Sequence, residues 1–211
     1  RSFHVTGVQT CALPIFSYFI TGAEIVSNEN TERRYWIWGQ FDEASSSILN
    51  KIQRIVHDEL QGPSFILHLT LSGPFFDLSS GVLERIDTFA LKNKQFSIKP
   101  SSYGMKDLFF QSLFVEIENT NKLNTLKMNL DDLLEVSSED FFPHISLFYG
   151  LKNQIVKQIV IDHLLTLPEY LVLDKITVAE TGQGDIESWR IVRQYPLINN
   201  LNVLNSLGRP L

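Results

Sequence analysis

Apolar and polar positions change period several times along this chain, and the changes mark its elements. "YWIWGQF" (35–41) alternates and is aromatic, which predicts a strand. "EASSSILNKIQRIVHDEL" follows Asp42, with Ile48, Ile52, Ile55, Val56 and Leu60 at helical spacing, and Gly62-Pro63 ends it. "SFILHLTLSGPF" (64–75) reads as a strand stopped at Ser72-Gly73-Pro74. "SSGVLERIDTFAL" predicts a second helix, and "QFSIKPSSYG" and "LFFQSLFVEIE" two more strands. A third helix comes from "TNKLNTLKMNLDDLLEV", with Leu123, Leu126, Leu130, Leu133 and Leu134 as its apolar stripe. "DFFPHISLFYG" is a strand between Pro143 and Gly150, and "KNQIVKQIVIDHLL" is a helix. "YLVLDKITVAET" and "SWRIVRQYPL" close the pattern as strands around a "GQGD" turn.

One motif occurs twice. "SFILHLTLSG" and "DFFPHISLFYG" share Phe-x-x-His-(Leu/Ile)-(Thr/Ser)-Leu, and each follows a strand and then a helix. The pattern predicts an α+β fold of two related, pseudo-symmetric lobes, each an antiparallel sheet with helices on its outer face. Side chains alternate along a strand. In the first motif Ile66, His68, Thr70 and Ser72 share one face, with Phe65, Leu67, Leu69 and Leu71 on the other. In the second, His144, Ser146 and Phe148 share a face, and Ile145 and Leu147 oppose them. Each lobe then offers an imidazole and a hydroxyl from the face opposite its helices, and a pseudo-twofold would gather all four in one groove.

The first fifteen residues change the bookkeeping. "VTGVQTCALPI" (5–15) reads in one frame as a translated sequencing adapter, so residues 1–15 are set apart as an artefact. Residues 16–34 form a lead-in, 35–200 a single bilobal domain, and 201–211 a tail. Cys11, the only cysteine, leaves with the adapter, so thiolate chemistry and disulfides drop out of the remainder. The 211 residues carry a formal net charge of −6, and losing Arg1 makes the remainder more acidic still. An acidic chain does not grip long nucleic acid through its overall field. No apolar stretch approaches the ~18 residues of a membrane span. A monomer in the cytoplasm is the default expectation.

Two imidazoles and two hydroxyls in one groove suit attack on a phosphodiester. A proton must leave the nucleophile on one side of phosphorus and another must reach the leaving oxygen on the far side. Histidine, with a reference pKa of about 6.5, serves either end near neutral pH. The hydroxyls can hold non-bridging oxygens. Two histidines without motif carboxylates or cysteines make a poor closed metal site, so no metal or other cofactor is expected.

The motifs "HLT" (His68, Thr70) and "HIS" (His144, Ser146) resemble the paired H-x-(T/S) motifs of the 2H phosphoesterase superfamily. The longer forms "ILHLTLSG" and "PHISLFYG", with "KITVAETGQGDIESWRIV", are most similar to its cyclic phosphodiesterase branch, over roughly residues 35–197. The resemblance implies a bilobal α+β fold and hydrolysis of 2′,3′-cyclic nucleotides or ADP-ribose 1″,2″-cyclic phosphate to monophosphates. It implies His144 as the base that activates water, His68 as the acid, and Thr70 and Ser146 as phosphate contacts. Tyr149 matches a tyrosine that sits near the site in that branch, although strict alternation places it opposite His144. Alternatives are a 2′,5′-linked RNA phosphodiesterase or ligase-like member, which would favour a basic groove, and a non-catalytic nucleotide- or RNA-binding module. His57 and His163, near helix C-termini, read as structural. Trp36, Trp38 and Trp189 read as core before they read as base-stacking platforms, and Arg33-Arg34 as a solvated pair.

Overall fold

The structure is a computed structural model that describes residues 33–137, 140–182 and 186–199. The adapter-like segment, the lead-in up to residue 32, the tail from 201 and most of the "GQGD" turn lie outside the described residues. Those described fall in one compact unit, Thr31–Leu211. In chain order the elements are β1 (Arg34–Phe41), α1 (Glu43–Leu60), β2 (Leu69–Phe75), α2 (Ser80–Ala90), β3 (Phe96–Ile98), β4 (Pro100–Met105), β5 (Leu113–Ile117), α3 (Asn121–Leu134), β6 (His144–Phe148), α4 (Gln154–Asp162), β7 (Leu171–Thr181) and β8 (Arg190–Pro196). Two short 3-10 turns, Phe109–Gln111 and Ile186–Ser188, precede β5 and β8.

The strands run in the order β3-β7-β1-β2-β6-β5-β4, with β8 also on β7, and every pairing between named strands is antiparallel. The order splits into the two expected lobes. β1, β2, β3, β7 and β8 make the first, and β4, β5 and β6 the second. They meet along β2 and β6 through a single residue pair, Leu69↔Ile145. A second junction was not expected. The stretch read as one strand, "QFSIKPSSYG", is two: β3 pairs with β7 and β4 pairs with β5. Only Lys99 separates them, and its carbonyl accepts from Glu118 N at 2.9 Å. Proline at position 100 has no N–H to continue a ladder, which suits a change of partner there. The two ends of the sheet order are thus neighbours in the chain.

The helices lie on the outer face, as expected, but they are exchanged between lobes. α1, which follows β1, packs on β6, with α4 beside it. α3, which follows β5, packs on β2, with α2 beside it. Asp42 caps α1 by accepting from Ser45 N at 2.8 Å, and Thr120 caps α3 through Leu123 N. Leu49, Ile52, Val56 and Leu60 form the fully buried stripe of α1; Ile48 and Ile55 flank it. Each such side chain contributes about 1.5–3 kcal/mol of burial. On α3 the stripe is Leu123, Leu126, Leu130 and Leu134, with Leu133 at its margin. These faces meet the inward residues Leu69, Leu71, Ile145 and Leu147, which fixes what the other face of β2 and β6 can present.

Candidate active site

The Leu69↔Ile145 pair sets the site. Continued by one residue either way, this antiparallel register places His68 opposite Ser146 and Thr70 opposite His144. Side chains so opposed have Cβ atoms about 4.5–5.5 Å apart. Leu69 and Ile145 are fully buried on the helix side, so the four polar residues face the groove together. The two imidazoles are close enough that the charge of one disfavours charge on the other.

Both histidines are held in the same way. His68 Nδ1 donates to the Ile66 carbonyl at 2.6 Å, and His144 Nδ1 donates to the Phe142 carbonyl at 2.9 Å. A carbonyl only accepts, so Nδ1 carries the hydrogen and a neutral ring presents a bare Nε2. Each histidine stands at the mouth of its strand: His68 just precedes β2, which begins at Leu69, and His144 is the first residue of β6. Ahead of His144 the Pro143 carbonyl still accepts from Ile117 N at 3.0 Å, and the next carbonyl back, that of Phe142, turns to the ring, as that of Ile66 does ahead of β2.

Strict alternation fails at three positions, and one cause explains all three. In the first lobe Trp38 pairs with Thr70 and Ile37 with Ser72, which leaves Leu71 as an extra residue. In the second, Phe114 pairs with Ser146 and Leu113 with Phe148, which leaves Leu147 extra. A β-bulge after each hydroxyl resets the alternation. Ser72, expected beside His68, therefore turns to the helices and donates to Asp131 Oδ1 at 2.6 Å. Phe148, expected beside His144, joins the core. Tyr149, which alternation sent away, turns toward the groove. There it stacks on Phe65 at 4.0 Å and meets Phe110 and Trp189 edge-on at 5.3 and 5.7 Å. Burial raises the Tyr149 phenol far above its ordinary value, and a hydrogen bond with Ser146 partly offsets this.

The turn after β6 completes that wall. Gly150 has φ 143°, a conformation that favours glycine, and its N–H donates to the Phe109 carbonyl at 3.0 Å. This anchors Phe109–Gln111, read from sequence as part of a strand. Phe110 then offers its carbonyl to the Ser146 hydroxyl at 3.1 Å and its ring to Trp189 at 5.9 Å. Trp38, expected in the core, is buried, but as the floor beneath His68: the rings stack at 3.7 Å and 10°. Trp36 is tied by its Nε1–H to Thr181 at 3.0 Å. Arg33 is exposed and pairs with Glu180 at 3.8 Å, as a solvated arginine does, whereas Arg34 is half-buried. His57 and His163 occupy helix C-termini.

Burial lowers the His68 pKa from 6.5 to about 4; its bond to Ile66 opposes that fall, and His144 adds to it. His144 is lowered too, chiefly by burial, with Lys106 adding to the fall and Glu116 opposing it. Both rings are neutral at pH 7 in the free protein. Sequence reasoning missed Lys106, Glu116, Phe110 and Phe142 as site neighbours. The repeat could have found two of them. The offset from His68 to His144 also carries Trp38 onto Phe114, Gln40 onto Glu116 and Ile66 onto Phe142. Among the described residues no group of three or more His, Cys, Asp or Glu could hold a metal ion. No helix among them is long and apolar enough to cross a membrane.

No family model matches the chain. It is 20% identical to the cyclic phosphodiesterase of Arabidopsis thaliana over 166 residues, which span 75% of this chain and 92% of that protein. The crystal structure of E. coli LigT complexed with 3'-AMP superposes with a TM-score of 0.53 at 14% identity, covering 78% of this chain and 98% of LigT. A Thermus thermophilus crystal structure gives 0.50 at 12% identity, covering 79% and 99%. The fold is that of the LigT-like structures, and these similarities agree with the resemblance drawn from the two H-x-(T/S) motifs.

Proposed function

We propose that this protein is a phosphodiesterase that opens a small cyclic phosphate, a 2′,3′-cyclic nucleotide or ADP-ribose 1″,2″-cyclic phosphate, to a monophosphate. The observation that carries the reading is the paired register about Leu69 and Ile145, which opposes His68 to Ser146 and Thr70 to His144. Phosphorus seated at the centre has an imidazole Nε2 on either side and a hydroxyl beside each. The LigT-like fold and the likeness to a cyclic phosphodiesterase support the same chemistry.

In the proposed reaction His144 Nε2 takes a proton from water as its oxygen bonds to phosphorus. The bond from phosphorus to one ribose oxygen breaks, and that oxygen takes the proton on His68 Nε2. The product is a monoester with one free hydroxyl. Exposure supports these roles. His144 is the more open ring and can reach bulk water, while His68 is buried against Trp38. His68 is neutral in the free protein, so its proton arrives with the anionic substrate. Negative charge favours imidazolium in a poorly solvated site, and the indole face beneath favours it further. Thr70, Ser146 and Tyr149 line the seat for the phosphate. Each proton transfer is worth roughly 10²–10⁴ in rate. No metal ion is required for these steps.

The test offers 2′,3′-cyclic nucleotides, ADP-ribose 1″,2″-cyclic phosphate and 2′,5′-linked oligonucleotides side by side with EDTA present. Hydrolysis of a cyclic substrate in EDTA is the expected result. Binding without turnover of any of them, or turnover restored only by a divalent metal, would overturn the proposal.

A further inference from the structure

The bulged framework is common to both lobes, but its groove chemistry is not. Trp38 and Phe114 are equivalent in register, each opposite its motif hydroxyl. One strand farther out, Thr177 faces Trp38 and Gly104 faces Phe114. Two residues beyond each of these, the first lobe has Ala179 and the second has Lys106. The second lobe therefore places a cation where the first has a methyl group.

Lys106 is held in position. Its N–H lies against the Gln111 and Ser112 carbonyls at 3.1 and 3.2 Å. Its own carbonyl accepts from the Lys157 ammonium at 2.7 Å. Lys157 is 1% exposed, and among the described residues its one charged partner is Asp107, at 3.4 Å. Burying that ammonium is costly unless it is satisfied, and here it fastens the turn that carries Lys106. The Lys106 ammonium donates to Gln111 Oε1 at 2.9 Å and sits 3.9 Å from the centroid of the Phe142 ring. Phe142 in turn stacks on His144 at 5.1 Å. An ammonium has three donors. Gln111 takes one and the Phe142 face a second, which leaves a third for a ligand.

We infer that Lys106 is the anion-binding cation of this groove, donating to a phosphoryl oxygen of the ligand held beside His144. This rests on the phosphodiesterase reading and adds to it the group that answers a specific charge change. Opening a cyclic diester turns a phosphorus group of one negative charge into a monoester that can carry two. A fixed cation on one side favours the more highly charged species and draws it toward His144.

The experiment uses inorganic phosphate as the probe, so it does not depend on turnover. Phosphate binding is measured by calorimetry for the wild-type protein, Lys106→Met, Lys106→Arg and, as a control on an exposed cation, Lys152→Met. The His144 ring is followed by NMR through pH in the same proteins. Lys106→Met is expected to weaken phosphate binding about tenfold, the worth of one charge-assisted hydrogen bond. Lys106→Arg should stay within about threefold of wild type. Because a neighbouring cation disfavours imidazolium, Lys106→Met should also move the His144 midpoint upward. Circular dichroism confirms folding, and Lys106→Gln replaces the methionine variant if that fails to fold. Phosphate affinity unchanged in Lys106→Met, lowered no more than in Lys152→Met, or unmeasurable in the wild type overturns the inference. Failure of the wild type to hydrolyse any cyclic phosphate while these shifts appear would count against the reaction and not against the anion site.

Discussion

The two lobes share a strand, a bulge and a histidine locked by the carbonyl two residues back, yet the histidines stand in different surroundings. His68 lies buried on an indole, next to neutral residues: Gln40 is engaged with Thr177 and Gln194 at 2.8 and 2.9 Å. His144 is more open, lies against Phe142 and Phe114, and feels both Glu116 and Lys106. The hydroxyls differ as well. Ser146 donates to the Phe110 carbonyl, whereas among the described residues nothing occupies the Thr70 hydroxyl. The difference teaches that a repeat can supply matched geometry while each half acquires its own acid–base character. For a reaction needing one donor and one acceptor, that inequality assigns each ring its part.

The comparison breaks most visibly at the imidazoles. Either His68→Ala or His144→Ala should lower kcat/KM for a cyclic nucleotide at least about a hundredfold. The two losses should not multiply in the double variant, because the rings act as a unit. Steady-state kinetics with circular dichroism as the folding check decides this. The hydroxyls should show a smaller, unequal effect. Thr70→Val is expected to cost roughly 10–100-fold and Ser146→Ala less than about tenfold, since the serine must first leave Phe110. Equal losses would erase the asymmetry.

Acidity gives a third, finer comparison. With His68 at about 4 and His144 also below 6.5, the bell of kcat/KM should peak on the acid side of pH 6.5. It should fall about tenfold per pH unit above the higher midpoint. The profile of kcat should peak at higher pH, because bound phosphate favours both imidazolium forms. The smallest effect is on folding. A histidine whose pKa drops from 6.5 unfolded to about 4 folded favours the folded state fully above pH 6.5. That contribution is lost as pH falls toward 4, and it is worth on the order of 3 kcal/mol. Urea melts near neutral pH and near pH 4 should show wild type losing more stability than His68→Gln. An equal loss would mean that the ring is not buried neutral.

Much of this was legible because period is a local property. The apolar stripes marked α1 and α3, alternation marked β1, and the echo of Phe-x-x-His located both site strands. What escaped depends on pairing across the sheet. Nothing within "HLTLSG" or "HISLFYG" announces that Leu71 and Leu147 are extra residues, so strict alternation puts Ser72 and Phe148 on the wrong face and turns Tyr149 away from the groove. The change of partner at Lys99 and the exchange of α1 and α3 between lobes likewise follow from tertiary contacts. Lys106 lay outside both motifs, and only the register of β4 against β5 brings it to His144.

The most direct test of a divided acid–base pair uses a cyclic phosphate whose scissile bridging oxygen is replaced by sulfur, a leaving group that needs no proton. Hydrolysis by His68→Ala and His144→Ala is compared on this and on the ordinary substrate. His68→Ala should recover most of its lost activity on the sulfur substrate and His144→Ala should not. Equal recovery by both variants, or recovery by neither, would contradict the account.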